Sequence, residues 1–465
     1  MKRRDFLKTS AALAAMAGSA DLLRAGELLN GKESTAGTSQ TAGSQAADEN
    51  SAENAAQAGA GKLIVSAPML QNPAPSSMGV AFAVSALANG YVLLSTNSDM
   101  SGARKIKCGG YRLTDMEDRV MRIRLTGLKP ATKYYYRIGA DSIHYGGGYD
   151  MKITGNEEDP HVYSFCTAGP DAKAHFCVIN DTHVQWGPFG RAIDKIAEIN
   201  PSCVVWNGDA SNTEETVEAQ MRIFLQPQIE RNDYASNIPY LLCPGNHDFR
   251  GLANRHLERV WMFRQPEERS PKDWDLSRNF AFRLGDIAMI GLDTGEDKLD
   301  TNPLFAGLFN NTPYREAQAE WLKTVLKRKD IRTAPYLVAF CHIPLFDPRP
   351  DANPGDLAPA DVAPGYNKNY AAWQRTCAKL WGPILDKAGC QLIITGHQHR
   401  YRFDAPSPGR KWAQIVGGGP DLDANSPADR FPTVIEGEVK GGKLEVTIHN
   451  LRTGEIQAKH SFKRR

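Results

Sequence analysis

Five short segments of the sequence carry Asp, Asn and His residues directly after apolar runs that are typical of buried strands. In chain order the segments are Asn180-Asp181-Thr182-His183, Asn207-Gly208-Asp209, Gly245-Asn246-His247-Asp248, His342-Ile343-Pro344 and Gly396-His397-Gln398-His399. Carboxylate, amide and imidazole groups are ligands for hard and borderline divalent cations. Because these segments hold five of the eleven histidines, their recurrence favours a shared metal site over five separate structural roles.

The surrounding sequence predicts the elements that would hold these residues. After residue 168, strand-like apolar runs alternate with amphipathic patterns, which predicts a layered α/β domain over residues 169–465. Thr312 and Pro313, followed by an apolar stripe that includes Trp321 and Leu322, predict one of its helices. In open α/β sheets ligands bind outside the carboxyl ends of the strands. The five segments are therefore expected to converge there.

The ordered set of segments closely resembles the motifs of the calcineurin-like metallophosphoesterases, which run DxH, GD, GNH[DE], H and GHxH. The resemblance covers Phe176 to about Gly419 and implies a four-layered α/β/β/α sandwich. It also implies two divalent metal ions, whose identity could be manganese, zinc or iron. The implied ligands are Asp181, His183 and His399 for one ion, Asn246, His342 and His397 for the other, and Asp209 as the bridge.

The resemblance further implies a reaction. A hydroxide held between two cations would attack the phosphorus of a small phosphate ester in line with the leaving alkoxide. His247 is not a ligand in the family pattern, and it is expected to act as general acid on the leaving oxygen, with Asp248 orienting its ring. Phosphomonoesters and phosphodiesters would share every ligand. A rival of another class is a non-catalytic surface-binding protein.

Residues 62–168 predict a smaller all-β domain. Short β-rich runs alternate with Gly, Asn and Asp turns, which is typical of a sandwich. The segment Leu128-Lys129-Pro130-Ala131-Thr132-Lys133-Tyr134-Tyr135-Tyr136 resembles the late strand and tyrosine corner of a fibronectin type III domain. Such a domain precedes the catalytic domain in purple acid phosphatases. Nothing in this region gathers acids or histidines, so it is expected to give support, docking or substrate-edge contacts.

The sequence departs from purple acid phosphatases at two positions. His183 stands where those enzymes have a glycine, and Asn212 stands where they have the tyrosine that binds iron(III). Without that tyrosinate a purple ferric centre is not expected. The resemblance instead implies a colourless centre of manganese, zinc or iron(II), whose identity depends on affinity order and supply.

Composition excludes several other classes. The 465 residues include 55 Lys and Arg against 53 Asp and Glu, so a net charge of +2 offers no basic field for nucleic acid, and no nucleic-acid partner is expected. No apolar run approaches the roughly 20 residues of a membrane span. The eight cysteines contain no CxxC pair, and most are predicted to be reduced core residues.

The amino-terminal sequence suggests export. Residues 1–26 contain Arg3-Arg4 followed by Phe6-Leu7-Lys8 and resemble a twin-arginine signal, which would make the protein periplasmic or extracellular. The alternative is a basic amphipathic terminus of a cytosolic protein. Residues 27–61 have almost no large apolar side chain and are predicted to be a disordered linker.

Two predictions concern the surface of the α/β domain. The stretch Asp347–Tyr370 is rich in Pro, Asp and Asn, which predicts a long loop that forms one rim of the site. Between Thr433 and Phe462 short strands are predicted to return, with Gly441 and Gly442 in a hairpin turn.

Overall fold

The computed structural model describes residues 61–110, 112–263, 274–348, 366–421 and 425–465. The proposed signal, residues 1–26, and the linker up to residue 60 lie outside the described residues. Residues 61–465 form one unit, which contains every element below. In the described part of the chain, no helix is both long and apolar enough to cross a bilayer.

The described residues form twenty strands and five α-helices. The strands are β1 Met69–Gln71, β2 Ser77–Ala83, β3 Ala88–Ser95, β4 Arg104–Lys107, β5 Val120–Thr126, β6 Lys133–Gly147, β7 Asp150–Glu158, β8 Tyr163–Cys166, β9 His175–Ile179, β10 Cys203–Trp206, β11 Tyr240–Leu242, β12 Phe280–Leu284, β13 Ile287–Gly291, β14 Tyr336–Phe340, β15 Leu392–Thr395, β16 Arg402–Asp404, β17 Ala413–Val416, β18 Thr433–Lys440, β19 Lys443–Asn450 and β20 Ile456–Phe462. The helices are α1 Trp186–Ile199, α2 Val217–Phe224, α3 Asn311–Val325, α4 Lys329–Arg332 and α5 Tyr366–Lys387.

Among the described residues these strands build three sheets. The first has nine strands in the order β20-β19-β18-β9-β10-β11-β1-β2-β5, and the second has six in the order β12-β13-β14-β15-β17-β16. The third contains β4-β3-β6-β7, with β8 paired to β6. Strands β9, β10 and β11 are parallel, as are β13, β14, β15 and β17. Their carboxyl ends therefore lie at matching edges of the two larger sheets.

The two larger sheets pack face to face, with helices on their outer faces. In β9, Phe176 and Val178 belong to the core between the sheets, whereas Cys177 and Ile179 pack on the side of helices α1 and α2. Helices α3 and α5 cover the other sheet. Strands with both faces covered read as continuous apolar runs, as these do. The predicted four-layered α/β/β/α sandwich is confirmed.

Helix α3 begins at Asn311, so Thr312 lies in its first turn and is not its N-cap. The carboxylate of Asp300 accepts hydrogen bonds from the backbone N–H groups of Asn311 (2.8 Å) and Thr312 (3.0 Å). These are among the N–H groups that the first turn of a helix leaves unpaired. The predicted helix is confirmed, and Trp321 and Leu322 are buried against the second sheet.

The region before residue 168 forms the predicted all-β layers. Strands β1, β2 and β5 face the sheet of β3, β4, β6, β7 and β8 across a shared core that includes Phe82 and Ile138. The hydroxyl of Tyr134 accepts a hydrogen bond from the backbone N–H of Lys129 at 2.9 Å. This contact has the geometry expected of the tyrosine corner. The relationship to fibronectin type III domains stays a prediction.

The predicted boundary at residue 168 does not interrupt the sheet. Strand β1 pairs in parallel with β11 through Gln71 and Tyr240, so the β1-β2-β5 layer continues the nine-stranded sheet. The hydroxyl of Tyr136 donates to the carbonyl oxygen of Ser236 at 2.7 Å. The division into domains 62–168 and 169–465 stays a prediction, and strands of both regions share one sheet.

The remaining local predictions have mixed outcomes. Gly441 and Gly442 lie in the turn between β18 and β19, as predicted. The loop predicted over Asp347–Tyr370 lies mostly outside the described residues. For its last residues the loop prediction is wrong, because α5 begins at Tyr366. All eight cysteines are free and seven are buried, with Cys166 exposed.

Candidate metal centre

The structure brings together all seven side chains that the sequence singled out as metal ligands. They follow the carboxyl ends of β9, β10 and β11 in one sheet and of β14 and β15 in the other. Two groups have ligand atoms within 4.8 Å of one another: Asp181, His183 and His399 in the first, and Asp209, His342 and His397 in the second. Asn246 joins the second group because its Oδ1 lies 2.8 Å from His397 Nδ1.

Asn207 holds the two sheets together beside this site. Its side-chain amide donates to the carbonyl oxygens of Cys341 (3.2 Å) and Ile394 (3.1 Å), at the ends of β14 and β15. Its own carbonyl oxygen accepts a hydrogen bond from Nδ1–H of His342 at 2.8 Å. The Nδ1 proton of His342 therefore points away from the site, and Nε2 points into it.

The first group has the donor set and spacing of a cation site. The Nε2 atoms of His183 and His399 lie 3.0 Å apart. Oδ1 of Asp181 is 3.3 Å from His399 Nε2 and 3.8 Å from His183 Nε2. That Oδ1 is buried and has no hydrogen-bond partner among the described residues. A buried carboxylate oxygen without a partner is costly, so its position beside two imidazole nitrogens fits a bound cation.

Asn212 fixes the orientation of His183. Nδ1–H of His183 donates to Oδ1 of Asn212 at 2.9 Å, and the Asn212 amide donates back to the His183 carbonyl oxygen at 3.1 Å. Partners of this kind set the tautomer of a metal-binding histidine. Asn212, which stands where purple acid phosphatases have their iron-binding tyrosine, thus supports the candidate ligand His183.

Asp209 lies between the two groups. Its Oδ2 is 3.0 Å from His342 Nε2 and 3.6 Å from His183 Nε2, and the side chain is buried. Burial raises the pKa of Asp209, but His342 and the neighbouring histidines outweigh burial and hold that pKa well below its usual range. A carboxylate that stays ionised between two ligand groups can bridge two cations.

The other buried groups are strongly perturbed by the same charges. Burial raises the pKa of Asp181, but His342 and His399 outweigh it and bring that pKa to about 2. Burial lowers the pKa of His342, yet Asp209 and Asp181 raise it to about 10. Burial and His342 lower the pKa of His397 to about 4. Carboxylates that attract a proton to His342 also attract a divalent cation, whose binding would release that proton.

The ligand loops adopt backbone conformations that L-residues rarely use. Five of the seven candidate ligands have a positive φ. In that region of backbone conformation, residues other than glycine are strained. The angles are 50° at Asp181, 46° at His183, 49° at Asp209, 69° at His397 and 53° at His399. Strain of this kind persists where the surrounding structure fixes it and clusters at functional sites.

Gly245 gives a direct test of how closely the backbone must approach the site. A β-carbon there would lie 2.3 Å from Asp209 Oδ1 and 2.7 Å from His342 Cδ2. We expect Gly245→Ala to lower metal occupancy, measured by elemental analysis, and to destabilise the protein by about 1–3 kcal/mol in denaturant unfolding. Gly109→Ala is the control, because its β-carbon would meet nothing within 4 Å. Unchanged metal occupancy in Gly245→Ala would contradict this interpretation.

His247 lies beside both groups. Its ring packs edge-on against His183 with centroids 4.9 Å apart, and its backbone N–H donates to Asp209 Oδ1 at 2.9 Å. Burial and the neighbouring Arg250 lower the pKa of His247 to about 4. One of its ring nitrogens also lies within 4.8 Å of ligand atoms of His183 and Asp209.

Asp248 has a different role from the one expected. Its Oδ1 accepts hydrogen bonds from the backbone N–H (3.0 Å) and hydroxyl (2.8 Å) of Ser211, and its Oδ2 accepts from the backbone N–H of Gly245 (2.8 Å). In the described residues no hydrogen bond joins it to the His247 ring. Burial and Asp209 raise the pKa of Asp248 to about 6. Asp248 therefore fixes the loop around Gly245, and the prediction that it orients the His247 ring is wrong.

Sequence reasoning missed Glu296 and Asp297, two acids that bind Arg250 beside the site. Nε–H and Nη2–H of Arg250 donate to the two carboxylate oxygens of Glu296 at 3.0 and 2.8 Å, and Nη2–H also donates to Asp297 at 3.0 Å. Oδ2 of Asp297 lies 3.9 Å from His397 Nε2. Both acids are buried and follow β13, so they repeat the strand-end pattern of the other five segments. That repetition was the signal that could have found them.

The four-layered sandwich and its strand-end side chains have the arrangement that the resemblance to metallophosphoesterases implies. Residues 174–401, just under half of the chain, match the Calcineurin-like phosphoesterase family. The match covers all five segments. The assignment of the seven side chains as metal ligands stays a prediction.

Purple acid phosphatases are among the similar proteins. The chain is 22% identical over 303 residues to purple acid phosphatase 23 of Arabidopsis thaliana. The aligned region covers 61% of this chain and 57% of that protein. It is 22% identical over 298 residues to probable purple acid phosphatase 20 of the same plant, with 63% and 57% covered. It thus spans less than two thirds of either relative. The structure of purple acid phosphatase PPD1 from yellow lupin (Lupinus luteus) seeds has the same fold, with a TM-score of 0.58 and 13% identity over 86% of this chain and 75% of that chain.

Proposed function

We propose that the chain hydrolyses small phosphate esters at a centre of two divalent cations. The observation that supports this most strongly is the sharing of Asp209 between two buried ligand groups. Asp181, His183 and His399 would hold one cation, and Asn246, His342 and His397 would hold the other. Such a pair supplies Lewis acidity toward phosphoryl oxygens and a water of lowered pKa.

The chain's own residues set the charge and access of this centre. Asp181 and Asp209 contribute two negative charges, whereas Asn246 contributes a neutral amide oxygen, so the bound cations would keep a net positive charge that attracts a phosphate ester. Buried walls around Asp181 and His342 exclude water and strengthen that attraction. His247, at the edge of both groups, would donate a hydrogen bond to a phosphoryl or leaving oxygen.

The ester class is part of the proposal. Every ligand named above would serve monoesters and diesters alike, because the cations contact the phosphoryl group that both share. The similar proteins are phosphatases by name, which favours monoesters. With His183 and Asn212 in place of the glycine and tyrosine of purple acid phosphatases, we propose manganese, zinc or iron(II) at the centre.

Export is a further part of the proposal, and it rests on sequence alone. Arg3, Arg4 and the Phe6-Leu7-Lys8 triplet resemble a twin-arginine signal. That route carries folded proteins, which suits a metal centre loaded before export. A periplasmic or extracellular enzyme of this kind would release phosphate from esters outside the cytoplasm.

The test is a panel of nitrophenyl phosphate monoesters and diesters, run on protein whose metal content has been measured. We expect hydrolysis that a chelator abolishes and that added manganese, zinc or iron(II) restores. Monoesters should be hydrolysed faster than diesters. Metal-loaded protein that is inert toward the whole panel would overturn the proposal and favour the non-catalytic surface-binding alternative.

A further inference from the structure

Arg250 makes an unusual contact with His247. Nη1 of Arg250 lies 3.0 Å from Nε2 of His247, within hydrogen-bond distance. A guanidinium group has only donors and stays protonated at any pH that a protein tolerates. Nε2 of His247 must therefore be the acceptor, and it carries no proton while this contact exists.

The position of the remaining proton follows from this contact. A neutral imidazole has one N–H, so His247 must carry its proton on Nδ1. Nδ1 is buried and has no hydrogen-bond partner among the described residues. A buried donor without a partner is costly, and a substrate oxygen is the partner that a phosphoesterase site would provide.

Two buried acids hold Arg250 in place for this contact. Glu296 binds Nε and Nη2 through both carboxylate oxygens, and Asp297 binds Nη2 from a second direction. Two-point binding of a guanidinium fixes its plane. The edge of Arg250 that carries Nη1 is then directed at His247 and is not occupied by either acid.

We propose that Arg250 is a positioning residue that holds His247 as the neutral Nδ1–H tautomer, so that His247 gives a substrate oxygen a hydrogen bond from Nδ1. This inference rests on the proposed function for the identity of the substrate. It differs from a general-acid role, because loss of the Nδ1 proton from a neutral ring would leave an imidazolate. His247 therefore stabilises negative charge on oxygen without transferring its proton.

The first experiment needs neither activity nor a variant of Arg250. The full chain is labelled with ¹⁵N in its histidine rings, and the signals of His247 are assigned by their loss in His247→Ala. We expect a protonated Nδ1 and an unprotonated Nε2 near neutral pH, in the metal-free and the zinc-loaded protein. A protonated Nε2, in either the other tautomer or an imidazolium, would overturn the inference whether or not the protein hydrolyses phosphate esters.

The second experiment is a double-mutant cycle between Arg250→Ala and His247→Ala. In the presence of His247, Arg250→Ala should lower kcat by about 10- to 100-fold with little change in KM, as loss of a supporting partner in a metal site does. In the His247→Ala background the same change should cost less than about 2-fold, because coupled residues are not additive. Equal losses in both backgrounds, or a rise in KM in both, would show that Arg250 acts on the substrate itself and overturn the inference.

Arg400→Ala is the matched control for loss of an arginine near the site. Arg400 follows the ligand His399, but its guanidinium is exposed and pairs with the exposed Asp429 at 3.1 Å. We expect kcat and the ¹⁵N signals of His247 to stay unchanged. If Arg250→Ala fails to fold because Glu296 and Asp297 lose their partner, the ¹⁵N experiment on the unsubstituted protein still decides the question.

Discussion

Replacing Asp209 by Asn should remove both metal ions and nearly all activity. The substitution keeps the volume of the side chain but removes the charge that holds His183 and His342 within 3.6 and 3.0 Å of its carboxylate. Loss of a supporting partner costs about 10- to 100-fold in metal affinity or activity. Loss of a ligand that two ions share should cost more, so we expect kcat/KM to fall by at least about 100-fold.

Metal content distinguishes this outcome from simple unfolding. Elemental analysis should give well under one metal ion per chain for Asp209→Asn, while circular dichroism stays that of the folded protein. Asp194→Asn is the control, since Asp194 is exposed and forms a surface pair with Arg231 at 3.3 Å. If Asp209→Asn bound two ions as tightly as the unsubstituted protein, Asp209 would not be the bridge.

His247→Ala should give the opposite combination, with both metal ions retained and turnover greatly reduced. The side chain lies beside the ligand groups, but its Nε2 is occupied by Arg250 and its Nδ1 is the donor proposed for the substrate. Removal of one hydrogen-bond donor to charge that develops in the transition state costs about 10²- to 10³-fold in kcat. We expect kcat to fall by about 10²- to 10³-fold, with KM changing far less.

The measurement pairs metal analysis with steady-state kinetics on a nitrophenyl monoester. His256→Ala is the control, because His256 is exposed and contacts the exposed Glu258 at 3.2 Å. Loss of metal from His247→Ala would mean that His247 is a ligand. Its ring nitrogen lies within 4.8 Å of ligand atoms of His183 and Asp209, so metal analysis is the measurement that separates the two roles.

The segments that carry the candidate ligands could be found in the sequence because each stands at a fixed place in a local pattern. An apolar strand ends, and two to four residues later a candidate ligand such as Asp181 or Asn246 follows. Parallel strands bring such ends to one edge of a sheet. Local periodicity and topology predicted that the five segments converge, and the resemblance to calcineurin-like metallophosphoesterases implied which seven residues within them are ligands. These residues are separated by up to 218 positions, from Asp181 to His399.

Residues that act through other side chains could not be predicted from such a local pattern. Asp248 directly follows His247, which suggested a contact between them, yet its carboxylate turns toward Ser211 and Gly245. Arg250 instead contacts His247 and is held by acids almost 50 positions later in the chain. Adjacency in sequence does not fix side-chain direction in a short 3₁₀ turn such as His247–Phe249.

The sequence by itself determined the layered α/β class, the strand-end ligands and the all-β character of residues 62–168, because apolar periodicity and turn residues act within a few positions of one another. Only the tertiary structure decided that β1 extends the sheet through β11, that Asn212 supports His183, and that Arg250 reaches His247. The first two contacts join residues far apart in the chain, and the direction in which Arg250 reaches His247 is held by Glu296 and Asp297, which are also far along the chain. Their geometry depends on how whole layers pack, and no local pattern encodes it.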